Sequence, residues 1–186
     1  MLEIKERSPI DKVIQSHKAL EPFDYQLAVD WAMELLHEGN DSDAVLMLAS
    51  FTQPIEKHEI SKYVTAVLRE LGLEELECEE AVLAQTHYLL SKILKGNAIR
   101  ENLKTLFELC VKTDYDVRII KFYSLHYAWQ DLEEIGTNFY YEGAHLNNIE
   151  TILKLEARIW IGKYIRLTEN AALEEELDQI IKESSR

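Results

Sequence analysis

The sequence predicts an all-α fold, a single domain over residues 1–186 built as a compact helical bundle or orthogonal array of about eight helices. Three observations predict it. Breakers are scarce, with 6 Gly and 3 Pro among 186 residues, too few for a fold rich in tight hairpins. Apolar residues recur at three- and four-residue intervals in one segment after another. These segments open on Ser, Asp or Asn and close on Gly, the residue types that satisfy the orphan N–H and C=O groups of helix ends.

Ser8-Pro9 reads as a cap followed by proline at the first helical position, opening a short helix over 8–18 that carries Ile10, Val13 and Ile14. Pro22 separates it from a second helix, Asp24 to His37, with Leu27, Trp31 and Leu35 on one stripe, closed by Gly39-Asn40. Asp41-Ser42 caps a short run from Ala44 to Phe51 whose successive apolar residues Val45, Leu46, Met47 and Leu48 predict burial. From Pro54, Ile60, Val64, Val67, Leu68 and Leu71 keep helical spacing until Gly72.

The pattern from Glu75 to Lys95 is long and continuous, with Cys78, Val82, Leu89 and Ile93 on one line, and Gly96 ends it. Asn97 is placed to cap a helix through Cys110, and Asp114 to cap another reaching Ile135. Apolar residues surround most of this last helix, which predicts a central position. Residues 136–146 are irregular, and Asn147 or Asn148 then opens a helix through Leu167 with Ile149, Leu153, Ala157, Trp160 and Tyr164 on its stripe. Residues 169–184 form an acidic helix whose thin apolar edge, Leu173, Leu177, Ile180 and Ile181, predicts peripheral packing. No residue pattern recurs at a fixed period, which favours a bundle over a helical-repeat solenoid.

A net charge of −14 leaves no basic patch for a nucleic-acid backbone or an anionic membrane. It favours a basic protein partner, although solubility alone also accounts for it. Cys78 and Cys110 form no CxxC, so neither a disulfide framework nor a zinc site is expected, and both read as small core residues. The first residues lack the pattern of a signal peptide and no segment has the length of a membrane span, so the expected location is cytoplasmic.

Few residues point to chemistry. Glu34 and His37 have the Glu-x-x-His spacing that binds metal in di-iron bundles, but the one other match, Glu142 to His145, lies in the irregular segment. Gly-rich phosphate loops and nucleophile elbows are missing from the sequence. His87 sits mid-helix as a structural histidine would. His126 lies among aromatics and would make an acid–base pocket if Asp131 or Glu142 folded against it. The rival reading to binding is therefore a metal-binding bundle or small-ligand enzyme using Glu34 and His37 or a pocket around His126. No cofactor is expected.

The most unusual stretch is Phe122 to Tyr141, which holds seven of the chain's 17 Phe, Tyr and Trp residues. Part of it must be core, while Phe139, Tyr140 and Tyr141 fall on a loop. Either these rings fold back and plug the end of the bundle, or they face water. In the second case Tyr123, Tyr127, Phe139, Tyr140 and Tyr141 with Asp131, Glu133, Glu134 and Glu142 make an amphipathic surface in a negative field, suited to a basic protein. A groove for a small ligand is a third outcome. The chain is expected to be a monomer or a homodimer, the latter through the stripe of the helix ending at Leu167.

Asp41-Ser-Asp-Ala-Val-Leu-Met-Leu-Ala-Ser50, preceded by Asp24-Tyr25 and followed by Leu68-Arg-Glu-Leu-Gly-Leu73, resembles a pattern of small acidic helical bacterial proteins of unassigned function. The resemblance covers about the first 75 residues and implies a bacterial source and an all-α fold. In size and charge the chain also resembles immunity proteins that neutralise basic toxins, which implies a toxin as partner.

Overall fold

Where apolar residues keep three- and four-residue spacing the backbone closes into helices, and the polar breaks become turns. The computed structural model describes residues 8–184, and among them there are nine α-helices and no strand. Among the described residues no helix is long and apolar enough to cross a membrane. The chain resolves into two compact units, residues 1–85 and 86–186. The boundary falls inside a helix rather than in a Gly- or Pro-rich linker, so composition carries no mark of it.

The first unit holds α1 (Pro9–Gln15), α2 (Gln26–His37), α3 (Asp43–Ala49), α4 (Lys57–Glu70) and the start of α5 (Cys78–Leu94). Helix α1 stops at Gln15, short of the expected Lys18, because the N–H groups of Ser16 and His17 reach back only three residues, to Val13 and Ile14. Ser8 makes no side-chain cap bond, and Pro9, whose missing N–H would have needed no partner there, opens the helix. Ser42 does cap α3, its Oγ accepting from Val45 N at 3.3 Å. The predicted burial of α3 is half right: Val45 and Leu48 are buried, whereas Leu46 and Met47 are nearly half exposed.

Helix α1 packs on α2, α2 on α3 and α3 on α4. Their shared core comprises Ile14, Trp31, Leu48, Ile60, Val64 and Leu68, among others. Two backbone-directed bonds return the chain after α4 to α1: Gln15 Nε2 donates to Glu74 O at 2.6 Å and Leu76 N to Gln15 O at 2.9 Å. Behind them His17 is wholly buried, with its ring nitrogens 3.4 Å from Tyr25 Oη and from Glu75 Oε1. Cys78 corrects the sequence reading, for it is exposed at the start of α5, while Cys110 is buried as expected.

The second unit holds the rest of α5, then α6 (Ile99–Lys112), α7 (Ile120–Glu134), α8 (Ile149–Ile161) and α9 (Ala171–Ser184). Asn97 does not cap α6. Ala98 takes the cap position at φ 42°, and Asn102 Nδ2 bonds the carbonyls of Asn97 and Ala98 at 2.8 and 2.9 Å. Asp114 does not cap α7 either, since it and Tyr115 adopt φ of 53° and 59° and the helix begins at Ile120. The cap-like role passes to Asp116, whose Oδ1 accepts from Arg118 N at 2.9 Å.

The expectation that α7 is central is also corrected. Its buried positions are a single stripe, Phe122, Leu125, Ala128 and Leu132, and Val117 and Ile135 beside it lie in the open. Helix α8 takes the central place, with nine buried residues from Ile149 to Ile161, packed against α7 and α9. Of its apolar stripe, Ile149, Leu153, Ala157 and Trp160 are buried inside this unit, and Tyr164, just beyond the helix, is half-buried. Beyond Ile161 the backbone widens into a π-helical turn, Gly162–Arg166, where Asn170 Nδ2 donates to Ile159 O at 3.1 Å. Helix α9 is peripheral as predicted, burying Leu177 and half-burying Leu173, Ile180 and Ile181.

Candidate functional site

On α7 the spacing of Tyr123, His126 and Tyr127 by three and four residues puts them on one face, beside the buried stripe rather than in it. Phe107 of α6 enters between them. Its ring stacks on Tyr123 at 5.3 Å and on His126 at 4.5 Å, and meets Tyr127 edge-on at 5.3 Å. Tyr115, from the turn before α7, meets Tyr123 edge-on at 5.4 Å, and Tyr140 stacks on Tyr127 at 4.9 Å. The result is one run of touching rings from Tyr115 to Tyr140, whose two ends are 48% and 47% exposed. Burial and the neighbouring phenols of Tyr127 and Tyr115 push the Tyr123 hydroxyl above its ordinary pKa.

The loop that supplies Tyr140 is built by Asn138. Its Oδ1 accepts the N–H groups of Tyr140 and Tyr141 at 3.1 and 2.9 Å, and its Nδ2 donates to Ala144 O at 2.9 Å. This turn throws the three consecutive aromatics in different directions. Phe139 projects into solvent at 88% exposure. Tyr140 lies flat on Tyr127. Tyr141 turns inward, donating its hydroxyl to Glu156 Oε1 at 2.6 Å. The two outcomes weighed for the loop are thus both present, divided among neighbouring residues.

Charges around the rings are of both signs. Arg100 lies 4.6 Å over the Trp129 ring and pairs with Glu133 at 2.6 Å, so this acid is already neutralised. Glu134 accepts from Gln130 Nε2 at 2.9 Å, Asp131 is half-buried and Glu142 is exposed. The acidity of the chain is concentrated elsewhere. Residues 1–85 carry 18 Asp and Glu against 7 Lys and Arg, a net −11, whereas residues 86–186 carry 16 against 13, a net −3. The ring surface therefore belongs to the nearly balanced unit.

The candidate chemical groups do not assemble as the sequence suggested. Glu34 and His37 are exposed on α2, and His37 Nδ1 bonds its own helix at Met33 O, 2.7 Å away. Among the described residues no group of three or more His, Cys, Asp or Glu side chains is arranged to hold a metal ion. Burial lowers the pKa of His126, assisted by the positive charges of Arg100 and Lys104, and the one carboxylate opposing them is Glu108 of α6. Neither Asp131 nor Glu142 takes the partner role foreseen for it. His126 Nδ1 is buried with no hydrogen-bond partner among the described residues, and the ring stacks on Phe107.

Phe107 and Tyr115 escaped the sequence reading. Phe107 sits on the apolar stripe of α6 with Leu103 and Leu106, where it reads as ordinary core, and Tyr115 lay inside a helix that the structure begins five residues later. No family model, curated protein or solved structure matches the chain.

Proposed function

We propose that this chain is a non-catalytic interaction module that holds a basic protein partner on the ring surface of its second unit. The observation that carries this reading is the unbroken contact of rings from Tyr115 through Tyr123, Phe107 and Tyr127 to Tyr140, with Phe139 standing free beside it. Stacked aromatics are held rigid by one another, so they offer large contact area at little entropic cost, which is what binding hot spots require. Acidic charge concentrated in the first unit acts at longer range and draws in a basic partner, so it governs the rate of encounter more than the strength of grip. A basic toxin neutralised by the chain, in the manner of an immunity protein, is the partner that its size and charge suggest.

The test uses the whole chain as bait at low and at high salt, beside a Phe139→Ala/Tyr140→Ala variant. Both side chains are exposed, so the variant keeps its fold. The expected result is a basic protein retained in a salt-dependent manner by the wild type and released at least about tenfold faster by the variant. Retention that is indifferent to both changes would sink the proposal. If the captured partner is an enzyme, loss of its activity at one equivalent of this chain distinguishes an inhibitor from a scaffold.

A further inference from the structure

Trp31, Leu35, Leu71 and Leu73 of the first unit floor a concavity of about 470 Å³, a size that holds an organic group. Asp11 of α1, Glu34 of α2 and Glu38, the residue that caps the end of α2, stand around it, and no Lys, Arg or His is among the described residues that line it. Trp31 Nε1 donates to Asp11 Oδ1 at 2.9 Å, which fixes one carboxylate and leaves its second oxygen uncommitted. None of the three acids has an ion-pair partner among the described residues. Glu34 and Glu38, one turn apart where α2 ends, repel each other, a cost that a cation between them would reverse.

We propose that this concavity receives an arginine side chain from a basic polypeptide, its stem on the apolar floor and its guanidinium among the three carboxylates. The charge of the surrounding unit, net −11, selects a cation. The apolar floor selects one carried on a methylene stem, which buries its length while the charged head stays at the rim. Carboxylates placed on two different helices suit the five fixed donors of a guanidinium better than the point charge of an ammonium. This inference rests on the reading that the partner is a basic protein, and adds to the ring surface a second contact that does not share its residues.

The experiment follows the three Trp indole N–H resonances of the full chain by NMR while acetyl-Ala-Arg-Ala-amide is added, with the citrulline peptide as its uncharged control. The Trp31 resonance is expected to move and saturate with the arginine peptide alone, leaving those of Trp129 and Trp160 in place. Glu34→Gln/Glu38→Gln, at exposed positions that leave the core intact, is expected to weaken binding at least about tenfold. Phe139→Ala/Tyr140→Ala should leave peptide binding unchanged. Equal response to the citrulline peptide, undiminished binding by the Gln variant, or no saturation at tens of millimolar would each overturn the proposal. Should the pocket fail while Phe139→Ala/Tyr140→Ala still releases the basic partner, the ring surface stands and the pocket alone falls. The opposite pattern removes the ring surface and keeps the pocket.

Discussion

The hydroxyl of Tyr141 lies 2.6 Å from Oε1 of Glu156, a carboxylate only 2% exposed in the middle of the most buried helix of its unit. Lys121 Nζ completes the arrangement, 2.8 and 3.0 Å from the two oxygens of the same carboxylate. A buried carboxylate is costly unless its oxygens are occupied, and these two side chains occupy them. Tyr141 is thereby tied to the interior, while its neighbour Tyr140 is left for the ring surface.

Removing the Tyr141 hydroxyl should therefore cost stability in a way that removing Phe139 does not. Tyr141→Phe leaves the Glu156 carboxylate short of a donor and should lower unfolding free energy by about 1.5–3 kcal/mol, the usual value of a hydrogen bond to a charged group. Phe139→Ala, at an exposed position, should stay within about 0.5 kcal/mol of wild type. Urea unfolding of the two variants checks both numbers, and equal losses would contradict the division of roles within the loop.

The same contact has a spectroscopic consequence. Burial, the hydrogen bond to Glu156 and the charges of Glu156 and Asp178 push the Tyr141 phenol well above its ordinary pKa. Its contribution to stability is therefore full below the normal phenol range and is lost as pH climbs above it, because the unfolded chain releases that proton first. Absorbance titration of the native protein should show fewer tyrosines ionised at alkaline pH than the unfolded chain does, and Tyr141→Phe should shrink this difference by one tyrosine.

How far all this was legible in the sequence differs from one level to the next. Helix existence followed from spacing, since Ile60, Val64, Val67 and Leu68 are buried where their periodicity placed them. Helix starts were harder to read, because a capping residue is recognised by type and acts by geometry: Ser42 caps, whereas Asn97 and Asp114 do not. Positive φ at Ala98, Asp114 and Tyr115 is a tertiary outcome that local residue type did not announce. The aromatic density around α7 was visible, yet the inward turn of Tyr141 was not, since it depends on Glu156, fifteen residues on, being buried. Phe107 shows the same limit from the other side, for one apolar stripe can face a core or a neighbouring ring, and only packing decides.

His126 carries the next prediction. Its buried Nδ1 lacks a partner among the described residues, which costs stability, and its ring already stacks on Phe107. His126→Phe keeps the stack and removes the orphan nitrogen, so at pH 7 it should be neutral or stabilising by up to about 1 kcal/mol. Because burial lowers the folded pKa of His126, its cost grows as pH falls below the unfolded value of a histidine, where the unfolded chain takes up a proton that the folded chain resists. The gap in thermal midpoint between variant and wild type should widen between pH 7 and pH 5. A constant gap would mean that His126 is protonated as readily in the folded protein as in the unfolded chain.

Asp116 and Arg118 give the opposite sign. Hydrogen bonds from Arg118, made by both its guanidinium and its backbone N–H, hold the Asp116 carboxyl below its ordinary pKa, against the effect of partial burial. The contribution is present above the unfolded pKa of an aspartate and disappears as pH falls through the folded value. Asp116→Asn should lose about 1 kcal/mol at neutral pH and progressively less in acid, because the wild type then forfeits the same interaction. Trp160 Nε1 donates to Arg118 O at 2.8 Å, so Trp160 fluorescence is a local reporter of this loss.

Two glycines of the same loop separate backbone strain from packing. Gly136 and Gly143 have similar positive φ, 78° and 70°, so an alanine at either must adopt the left-handed region at a cost of about 1–2 kcal/mol. Their surroundings differ. A methyl group on Gly136 meets nothing within 4 Å, whereas one on Gly143 would lie 2.7 Å from Ile181 Cγ2 and 3.0 Å from the Cα and O of the same residue. The side chain of Ile181 has some freedom to turn away, but its backbone belongs to α9 and moves only if the helix does. Gly136→Ala should therefore show the strain alone, and Gly143→Ala should exceed it by at least about 1 kcal/mol, the usual minimum for forcing atoms into a packed site. It should also loosen α9, seen as faster amide exchange from Ala171 to Ser184 than in Gly136→Ala. Similar losses and similar exchange in the two variants would show that α9 does not bear on Gly143, and that φ alone sets the requirement for glycine there.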